Sequence, residues 1–208
     1  MTTHEALLRR GQRHWDRASR IRYPIMDRLG KRLWHKALEH LTLSEGERVL
    51  DIGCGLGGML VAARRAVGPT GRAVGVDYSP RMVAKTRKRI ARLGWTNVEV
   101  RRADASRDPH GSAEFDAAVA LTSFSCMPDV ATAVALAHEA LRPGGRLFLF
   151  DVRLAGDSRK IRLMRRYYRA TAGAPEADVL TELRRAFPTV QLLAPEHPVM
   201  TMVLARKA

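Results

Sequence analysis

The sequence predicts an α/β fold of three layers, in which helices cover both faces of a mostly parallel sheet. Short apolar runs alternate with segments of helical periodicity along most of the 208 residues, which is the pattern of successive strand–helix–strand units. The runs are almost continuously apolar, as expected of strands buried on both faces. Five such strands are predicted, at residues 48–52, 73–77, 98–104, 115–121 and 146–151. A hydrophobic content of 46% is sufficient for one core of this size.

Helices are predicted at residues 57–67, 79–93, 130–141, 158–170 and 175–187. Ser79-Pro80 supplies an N-cap and a first helical residue for the second of them. After the last helix come two apolar segments, 190–193 and 199–205, separated by a short proline-containing connection. Such a connection allows the two segments to pair antiparallel at an edge of the sheet.

The N-terminal stretch 5–41 has helix-like apolar spacing, with a break at Tyr23-Pro24. We therefore expect residues 1–43 to form a helical cap and residues 44–208 to form the α/β unit, within one compact molecule. No apolar run reaches the roughly 18 residues that cross a bilayer. Residues 1–13 lack the apolar core of a secretory signal. These observations predict a cytoplasmic protein, with peripheral attachment to a membrane as an alternative.

The net charge of +15 and the pI near 11.0 favour encounters with phosphates, anionic lipid surfaces or acidic small molecules. Abundant arginine and alanine also fit a compositional bias of a whole proteome. Residues 159–169 concentrate arginine and lysine between apolar residues. As a helix, this segment could bind an anionic membrane surface, RNA or an acidic acceptor, or it could simply present a solvated charged face. The two cysteines, Cys54 and Cys126, have neither zinc-site nor disulfide spacing, and no metal site is predicted.

A glycine-rich loop, Asp51-Ile52-Gly53-Cys54-Gly55-Leu56-Gly57-Gly58, follows the first predicted strand. Gly53, Gly55 and Gly58 match the G-x-G-x-x-G pattern of loops that approach a ligand above a helix N-terminus. Asp77, which ends the second strand, suits the ribose hydroxyls of a nicotinamide dinucleotide or of S-adenosylmethionine. Asp51 separates these ligands, because its carboxylate would repel a pyrophosphate but attract the ammonium and sulfonium of S-adenosylmethionine.

Several further segments then resemble, in order and spacing, the motifs of class I S-adenosylmethionine-dependent methyltransferases. They are residues 49–58, 74–80, 104–105, 115–121 and 141–147. Residues 23–34 also resemble, more loosely, the ubiquinone and menaquinone biosynthesis branch of that family. The resemblance implies a Rossmann-like sheet of seven strands with the last strand antiparallel, which agrees with the C-terminal pattern.

The resemblance also implies roles for individual residues. Gly53 and Gly55, beside Asp51, would contact the methionyl part of S-adenosylmethionine, and Asp77 would hold the ribose. Tyr78 and Met82 would flank the adenine, whose edge Asp104 and the backbone N–H of Ala105 would bind. Leu121 and Thr122 would lie beneath the reacting methyl. Taken singly, each of these residues is also compatible with a purely structural role, as a turn, a cap or part of the core.

Acceptor-side candidates are His14, Tyr23, Ser123 and Asp151, which come from the expected cap and from the segments after the fourth and fifth strands. The segment 121–124 lacks the Asn/Asp-Pro-Pro-aromatic motif of enzymes that methylate amino groups of adenine, cytosine or glutamine. The expected function is methyl transfer to oxygen, carbon or nitrogen of a small-molecule acceptor, such as a specialised metabolite or quinone precursor. The alternatives are a membrane-surface methyltransferase of a phospholipid amine or lipid quinone and, ranked last, a nucleic-acid-binding protein. A homodimer is left open.

Overall fold

The computed structural model describes residues 3–20, 25, 30–171, 177–195 and 197–208. The strands in these residues are β1 (Arg48–Ile52), β2 (Arg72–Asp77), β3 (Val98–Arg102), β4 (Phe115–Leu121), β5 (Leu141–Val152), β6 (Thr189–Leu192) and β7 (Met200–Arg206). The helices are α1 (Thr3–Ala18), α2 (Lys31–Leu41), α3 (Gly58–Val67), α4 (Pro80–Leu93), α5 (Val130–Ala140), α6 (Arg159–Thr171) and α7 (Val179–Ala186), with a 3₁₀ turn at Phe124–Cys126.

The strands form one seven-stranded sheet in the order β3-β2-β1-β4-β5-β7-β6. Strands β1 to β5 run parallel to one another, and β7 runs antiparallel to both of its neighbours, β5 and β6. This arrangement confirms the expected mostly parallel sheet with an antiparallel last strand. The strand order reverses between β1 and β4, and in open α/β sheets such a switch creates a ligand-binding crevice at the carboxyl ends of the strands.

The two faces of the sheet are covered by different helices, as the three-layer prediction requires. Alternate residues of β1 point to opposite faces, because the side-chain period of a strand is two. Leu50 belongs to a buried cluster that includes Val134 of α5 and Leu180 of α7. Its neighbour Val49 belongs to a second cluster, with Leu41 of α2 and Ala63 of α3. Helices therefore bury both faces of the sheet.

Two element boundaries differ by more than two residues from those predicted. Strand β5 begins at Leu141 rather than at residue 146, because Leu141 pairs with Phe115 before a shift in register brings Arg146 opposite Ala117. The prediction took residues 142–145 for a simple turn and missed this irregularity. Helix α7 begins at Val179 rather than at residue 175, because the Asp178 side chain accepts a hydrogen bond from the N–H of Leu180 and caps the helix there.

The N-terminal helices contact the rest of the molecule in different places. In α1, Asp16 accepts a hydrogen bond from the Ser79 hydroxyl at 2.6 Å, which attaches this helix above the carboxyl end of β2. Helix α2 buries Ala37 and Leu41 against the sheet face. The predicted break at Tyr23-Pro24 lies outside the described residues. Among the described helices, none is long and apolar enough to span a membrane.

Candidate active site

The glycine loop connects β1 to α3 through a backbone that turns sharply. Gly53, Gly55 and Gly57 have φ angles of +76°, +54° and +74°, a conformation that residues with a Cβ rarely adopt. The third left-handed glycine is thus Gly57, which precedes α3, whereas Gly58 of the sequence pattern is already helical. The Thr86 hydroxyl of α4 donates a 2.7 Å hydrogen bond to the carbonyl of Gly55 and so ties the loop to that helix.

Asp77 stands at the carboxyl end of β2, where two backbone groups fix its carboxylate. Its Oδ2 accepts from the N–H of Gly55 at 2.9 Å, and its Oδ1 accepts from the N–H of Ser79 at 2.8 Å. Burial raises the pKa of Asp77 to about 6; the charge of Asp16 also raises it, and the two N–H donors lower it. The carboxylate is therefore held in one orientation beside the glycine loop.

A cavity of about 80 Å³ lies against Asp77. The candidate cosubstrate residues that line it are Gly53, Asp77, Tyr78, Met82 and Thr122. Helix α1 forms another part of its wall with Leu8, Gly11 and Trp15. Ligand pockets usually enclose several hundred Å³, so this cavity is small, and α1 bounds it on one side.

Asp104 and Ala105 do not line this cavity. Both are buried, and Asp104 accepts hydrogen bonds from the backbone and hydroxyl of Ser106. Its other oxygen, Oδ2, accepts a hydrogen bond from Nε2 of His4 at 2.7 Å. In this structure the N-terminal end of α1 thus occupies an acceptor that the resemblance assigns to adenine.

The segment after β4 has an unusual backbone. Thr122 has a φ of +51°, and for a β-branched residue this left-handed conformation is strained. The next residue, Ser123, is buried beside Gly53, and its hydroxyl has no hydrogen-bond partner among the described residues. A Cβ on Gly53 would lie 2.4 Å from that of Ser123. Ser123 lines the same cavity as Asp77 and Tyr78, two of the candidate cosubstrate residues.

Asp151 is fully buried beneath this same segment and does not line the cavity beside Asp77. Its Oδ2 accepts from the backbone N–H groups of Ser123, Phe124 and Ser125. Its Oδ1 accepts from the Ser125 hydroxyl at 2.5 Å. Burial raises the pKa of Asp151, although these hydrogen bonds lower it in part. The structure therefore gives Asp151 no direct access to an acceptor, and instead makes it an anchor for the loop.

A second cavity, of about 340 Å³, meets the first at Trp15, Gly53, Thr122 and Cys126, which line both. Its remaining walls are rich in aromatic side chains, namely His14, Trp34, Phe150, Tyr167 and Tyr168. Asp51, Leu121 and Met59 also line it. Burial, followed by the charge of Asp151, raises the pKa of Cys126 to about 12, so the thiol between the two cavities is neutral near pH 7.

Three of the four acceptor-side candidates are therefore located: His14 lines the larger cavity, Ser123 lines the smaller one and Asp151 lies below both. Tyr23 lies outside the described residues. Four aromatic residues of the larger cavity were not predicted from the sequence as acceptor-side residues: Trp34, Phe150, Tyr167 and Tyr168. A periodicity signal was available for Tyr168, because it is seven residues from the buried Ile161 and hence on the same face of α6.

The described residues fit S-adenosylmethionine. The unpartnered Ser123 hydroxyl offers a hydrogen bond inside the smaller cavity. Asp77 has carboxylate lone pairs beyond those used by the two N–H groups, as ribose hydroxyls require. Asp51, which is 2% exposed beside Gly53, supplies negative charge for an ammonium or sulfonium. Among the described residues, no cluster of histidine, cysteine or acidic side chains could hold a metal ion.

Comparison with known proteins agrees with this geometry. Residues 49–145 match a family model described as a methyltransferase domain. Over 102 residues, 49% of this chain and 46% of the relative, the chain is 36% identical to aklanonic acid methyltransferase DauC of Streptomyces sp. strain C5. Over 121 residues, 58% of this chain and 49% of the relative, it is 30% identical to demethylmenaquinone methyltransferase of Staphylococcus aureus. The chain thus spans less than half the length of these curated relatives.

The fold is also shared with solved structures. Geranyl diphosphate C-methyltransferase from Streptomyces coelicolor A3(2), in complex with Mg²⁺, geranyl diphosphate and S-adenosyl-L-homocysteine, matches with a TM-score of 0.73. The match covers 87% of this chain and 81% of that chain at 17% identity, which supports a common fold alone. Taken together, the motif order, the strand order and the match to residues 49–145 show that this chain contains a methyltransferase domain with the class I, S-adenosylmethionine-dependent fold.

Proposed function

We propose that this protein transfers a methyl group from S-adenosylmethionine to a small-molecule acceptor. The observation that carries the proposal is the junction of two cavities at Gly53 and Thr122, one beside Asp77 and the other with aromatic walls. When bound, S-adenosylmethionine supplies a methyl group already activated on a sulfonium. The protein then has mainly to hold the two molecules in line at near-attack distance, roughly 3–3.5 Å between the reacting atoms.

The roles proposed for individual residues follow from their positions. Asp77 accepts from the ribose hydroxyls, Tyr78 and Met82 flank the adenine, and Gly53 and Gly55 let the backbone approach the methionyl part. Asp51 adds a favourable charge for the ammonium group. Thr122 lies where the two cavities meet, and its neighbour Leu121 lines the larger cavity; together they bound the space for the reacting methyl.

The acceptor side is proposed to belong largely to residues 1–43, which act as a cap on the methyltransferase unit of residues 44–208. Support comes from Trp15 of α1 and Trp34 of α2, both of which line the larger cavity. His35, the neighbour of Trp34, does not line that cavity. The names of two relatives give aklanonic acid and demethylmenaquinone as acceptors, and they support a small molecule as acceptor here.

The test has two stages. Calorimetry with S-adenosylhomocysteine should give saturable one-to-one binding, which Asp77→Ala abolishes and Arg185→Ala, at an exposed residue, leaves unchanged. Purified protein is then incubated with S-adenosylmethionine and a panel of phenols, quinones and amines, and mass spectrometry follows an added methyl group. Binding without turnover of any panel member would contradict the small-molecule proposal.

A membrane-surface version of this function is the second candidate. Leu163 on the outer side of α6 is 70% exposed, next to the exposed cations Arg159, Lys160 and Arg166. An apolar residue among cations suits an anionic bilayer surface. Co-flotation with anionic liposomes at low salt tests this version. Wild type should float with the liposomes, and the control variant Leu163→Glu should remain in the unbound fraction. Binding to nucleic acid is ranked below both, and size-exclusion chromatography with light scattering tests the possible homodimer.

A further inference from the structure

The larger cavity combines flat apolar walls with one buried chain of polar groups. Trp15, Trp34 and Phe150 present ring surfaces from three different elements of the chain. Aromatic walls favour an aromatic ligand over an alkyl ligand of equal area, because ring quadrupoles interact favourably in stacked and edge-on arrangements. The walls thus favour a planar acceptor.

The polar chain runs from the cavity into the interior. Tyr168 lines the cavity and is hydrogen-bonded through its side chain to Ser125. The Ser125 hydroxyl lies 2.5 Å from Oδ1 of Asp151, which accepts its hydrogen. A serine hydroxyl has only one hydrogen to give, so the O–H of Tyr168 must be the donor to Ser125. Because its hydrogen is used in this way, the phenolic oxygen of Tyr168 can act towards a ligand in the cavity only as an acceptor.

We infer that the methyl acceptor is an aromatic hydroxyl compound, bound as the neutral phenol with its ring between the aromatic walls and its O–H donating to the Tyr168 oxygen. The inference rests on the proposed function and names its acceptor class. A neutral ligand is required because Asp151 places a buried negative charge at the end of the chain. Burial, with the charges of Cys126 and Asp151, also raises the pKa of Tyr168, which reflects the same unfavourable environment for an oxyanion.

The chain also gives the proton of the acceptor a route. As the acceptor oxygen bonds to the methyl carbon, its proton passes to the Tyr168 oxygen, the Tyr168 proton to Ser125 and the Ser125 proton to Asp151. The carbon–sulfur bonding pair stays on sulfur, so one positive charge on the cosubstrate and one negative charge on Asp151 disappear together. In this scheme Tyr168 touches the acceptor, and Ser125 and Asp151 act through it.

The test is a binding cycle that needs no turnover. The dissociation constants of 2-naphthol and 2-methoxynaphthalene are measured by calorimetry in wild type and in Tyr168→Phe, with and without S-adenosylhomocysteine. The two probes share a ring system, but only 2-naphthol can donate a hydrogen bond. We expect 2-naphthol to bind wild type about three- to tenfold more tightly. This preference should disappear in Tyr168→Phe, whose ring is unchanged.

Tyr167→Phe is the matched control, because Tyr167 is the neighbouring residue and lines the same cavity. This variant should still prefer 2-naphthol to 2-methoxynaphthalene. Linear decanol serves as the apolar comparison and should bind more weakly than either naphthalene. The inference would be overturned if wild type bound the two naphthalenes with equal affinity, or if Tyr168→Phe lost the same factor of affinity for both. Binding of S-adenosylhomocysteine reports on the proposed function separately, and the naphthalene cycle decides the acceptor class whether or not that ligand binds.

Discussion

Nε2 of His4 lies 2.7 Å from Oδ2 of Asp104, which joins the first turn of α1 to the loop after β3. The two residues are a hundred positions apart in the sequence. The carboxylate of Asp104 is the group that the family resemblance assigns to the amine of adenine. Helix α1 also forms part of the wall of the neighbouring cavity of about 80 Å³. A cosubstrate bound as the resemblance implies would therefore compete with the imidazole of His4 for this acceptor.

Removal of the imidazole should strengthen cosubstrate binding. In His4→Ala, we expect the dissociation constant of S-adenosylhomocysteine to fall about two- to tenfold, the usual net effect of one hydrogen bond. Calorimetry gives the measurement. Arg17→Ala alters an exposed residue of the same helix and should have no effect. Weaker binding by His4→Ala would mean that His4 helps to hold the ligand instead.

Cosubstrate binding should weaken in mild acid through Asp77. Its pKa is raised to about 6, so its charged form is lost as the pH falls through this value, earlier than for an ordinary aspartate. Ribose hydroxyls prefer the charged form, and affinity should fall up to about tenfold per pH unit below pH 6. Titration of S-adenosylhomocysteine binding in His4→Ala excludes the nearby imidazole as the cause. A flat profile there would contradict the role of Asp77.

Alanine in place of Gly53 should be far more harmful than alanine in place of Gly94. Both glycines have positive φ, +76° and +65°, so both substitutions carry backbone strain of about 1 kcal/mol. Only at Gly53 does the new Cβ meet an obstacle, the Cβ of Ser123, whereas nothing lies within 4 Å at Gly94. We expect Gly53→Ala to lose a further 1–3 kcal/mol or so in urea unfolding. It should also lose binding of S-adenosylhomocysteine, and equal effects at both sites would argue against the close approach.

Glycine in place of Thr122 should stabilise the protein and alter the site. Thr122 and Thr42 have nearly the same left-handed φ, +51° and +46°. Relief of this strain exceeds the entropy that glycine adds to the unfolded chain, so each variant should gain about 0.5–1 kcal/mol in denaturant unfolding. Thr42 lies at the end of α2, and its variant should bind S-adenosylhomocysteine normally. Thr122→Gly should bind it more weakly, and unchanged affinity would show that the strain has no functional role.

Arg146 should be important for the attachment of α2 to the sheet. Its buried guanidinium donates to the carbonyls of Leu41 and Thr42 and to the carboxylate of Glu47. Arg146→Met leaves these acceptors unpaired, which typically costs about 3 kcal/mol or more in unfolding free energy. Arg185→Met breaks an exposed ion pair with Glu182 and should cost less than about 0.5 kcal/mol.

The ion pair between Arg146 and Glu47 should make the free energy of unfolding depend on pH in the acid range. Although burial opposes the shift, the hydrogen bond and charge of Arg146 lower the pKa of Glu47 below its usual 4.5. The stabilisation is therefore present above pH 4.5 and is lost as the pH falls through the lower folded-state value. Urea unfolding over this acid range should show a smaller fall in stability for Glu47→Gln than for wild type. Parallel curves would contradict the linkage.

What the sequence predicted depended on local patterns. The apolar runs located β1 and β4 to the residue. Ser79 was predicted as an N-cap because it precedes Pro80, and its side chain accepts a hydrogen bond from the N–H of Met82, only three residues ahead. The bulged start of β5 could not be predicted, since it arises from pairing with Phe115 in another strand. Likewise, no local signal pairs His4 with Asp104, or brings the hydroxyl of Ser125 to the carboxylate of Asp151. Those contacts exist only after the sheet has assembled.

The residues proposed to bind the cosubstrate and those proposed to line the acceptor cavity come largely from different parts of the chain. The candidate cosubstrate residues all lie within the matched domain, residues 49–145. The aromatic walls of the larger cavity come from α1, α2, β5 and α6, all outside that range or extending beyond it. If the walls have the roles proposed for them, transplanting the flanking helices between relatives would exchange the acceptor preference and leave the residues that hold the cosubstrate unchanged.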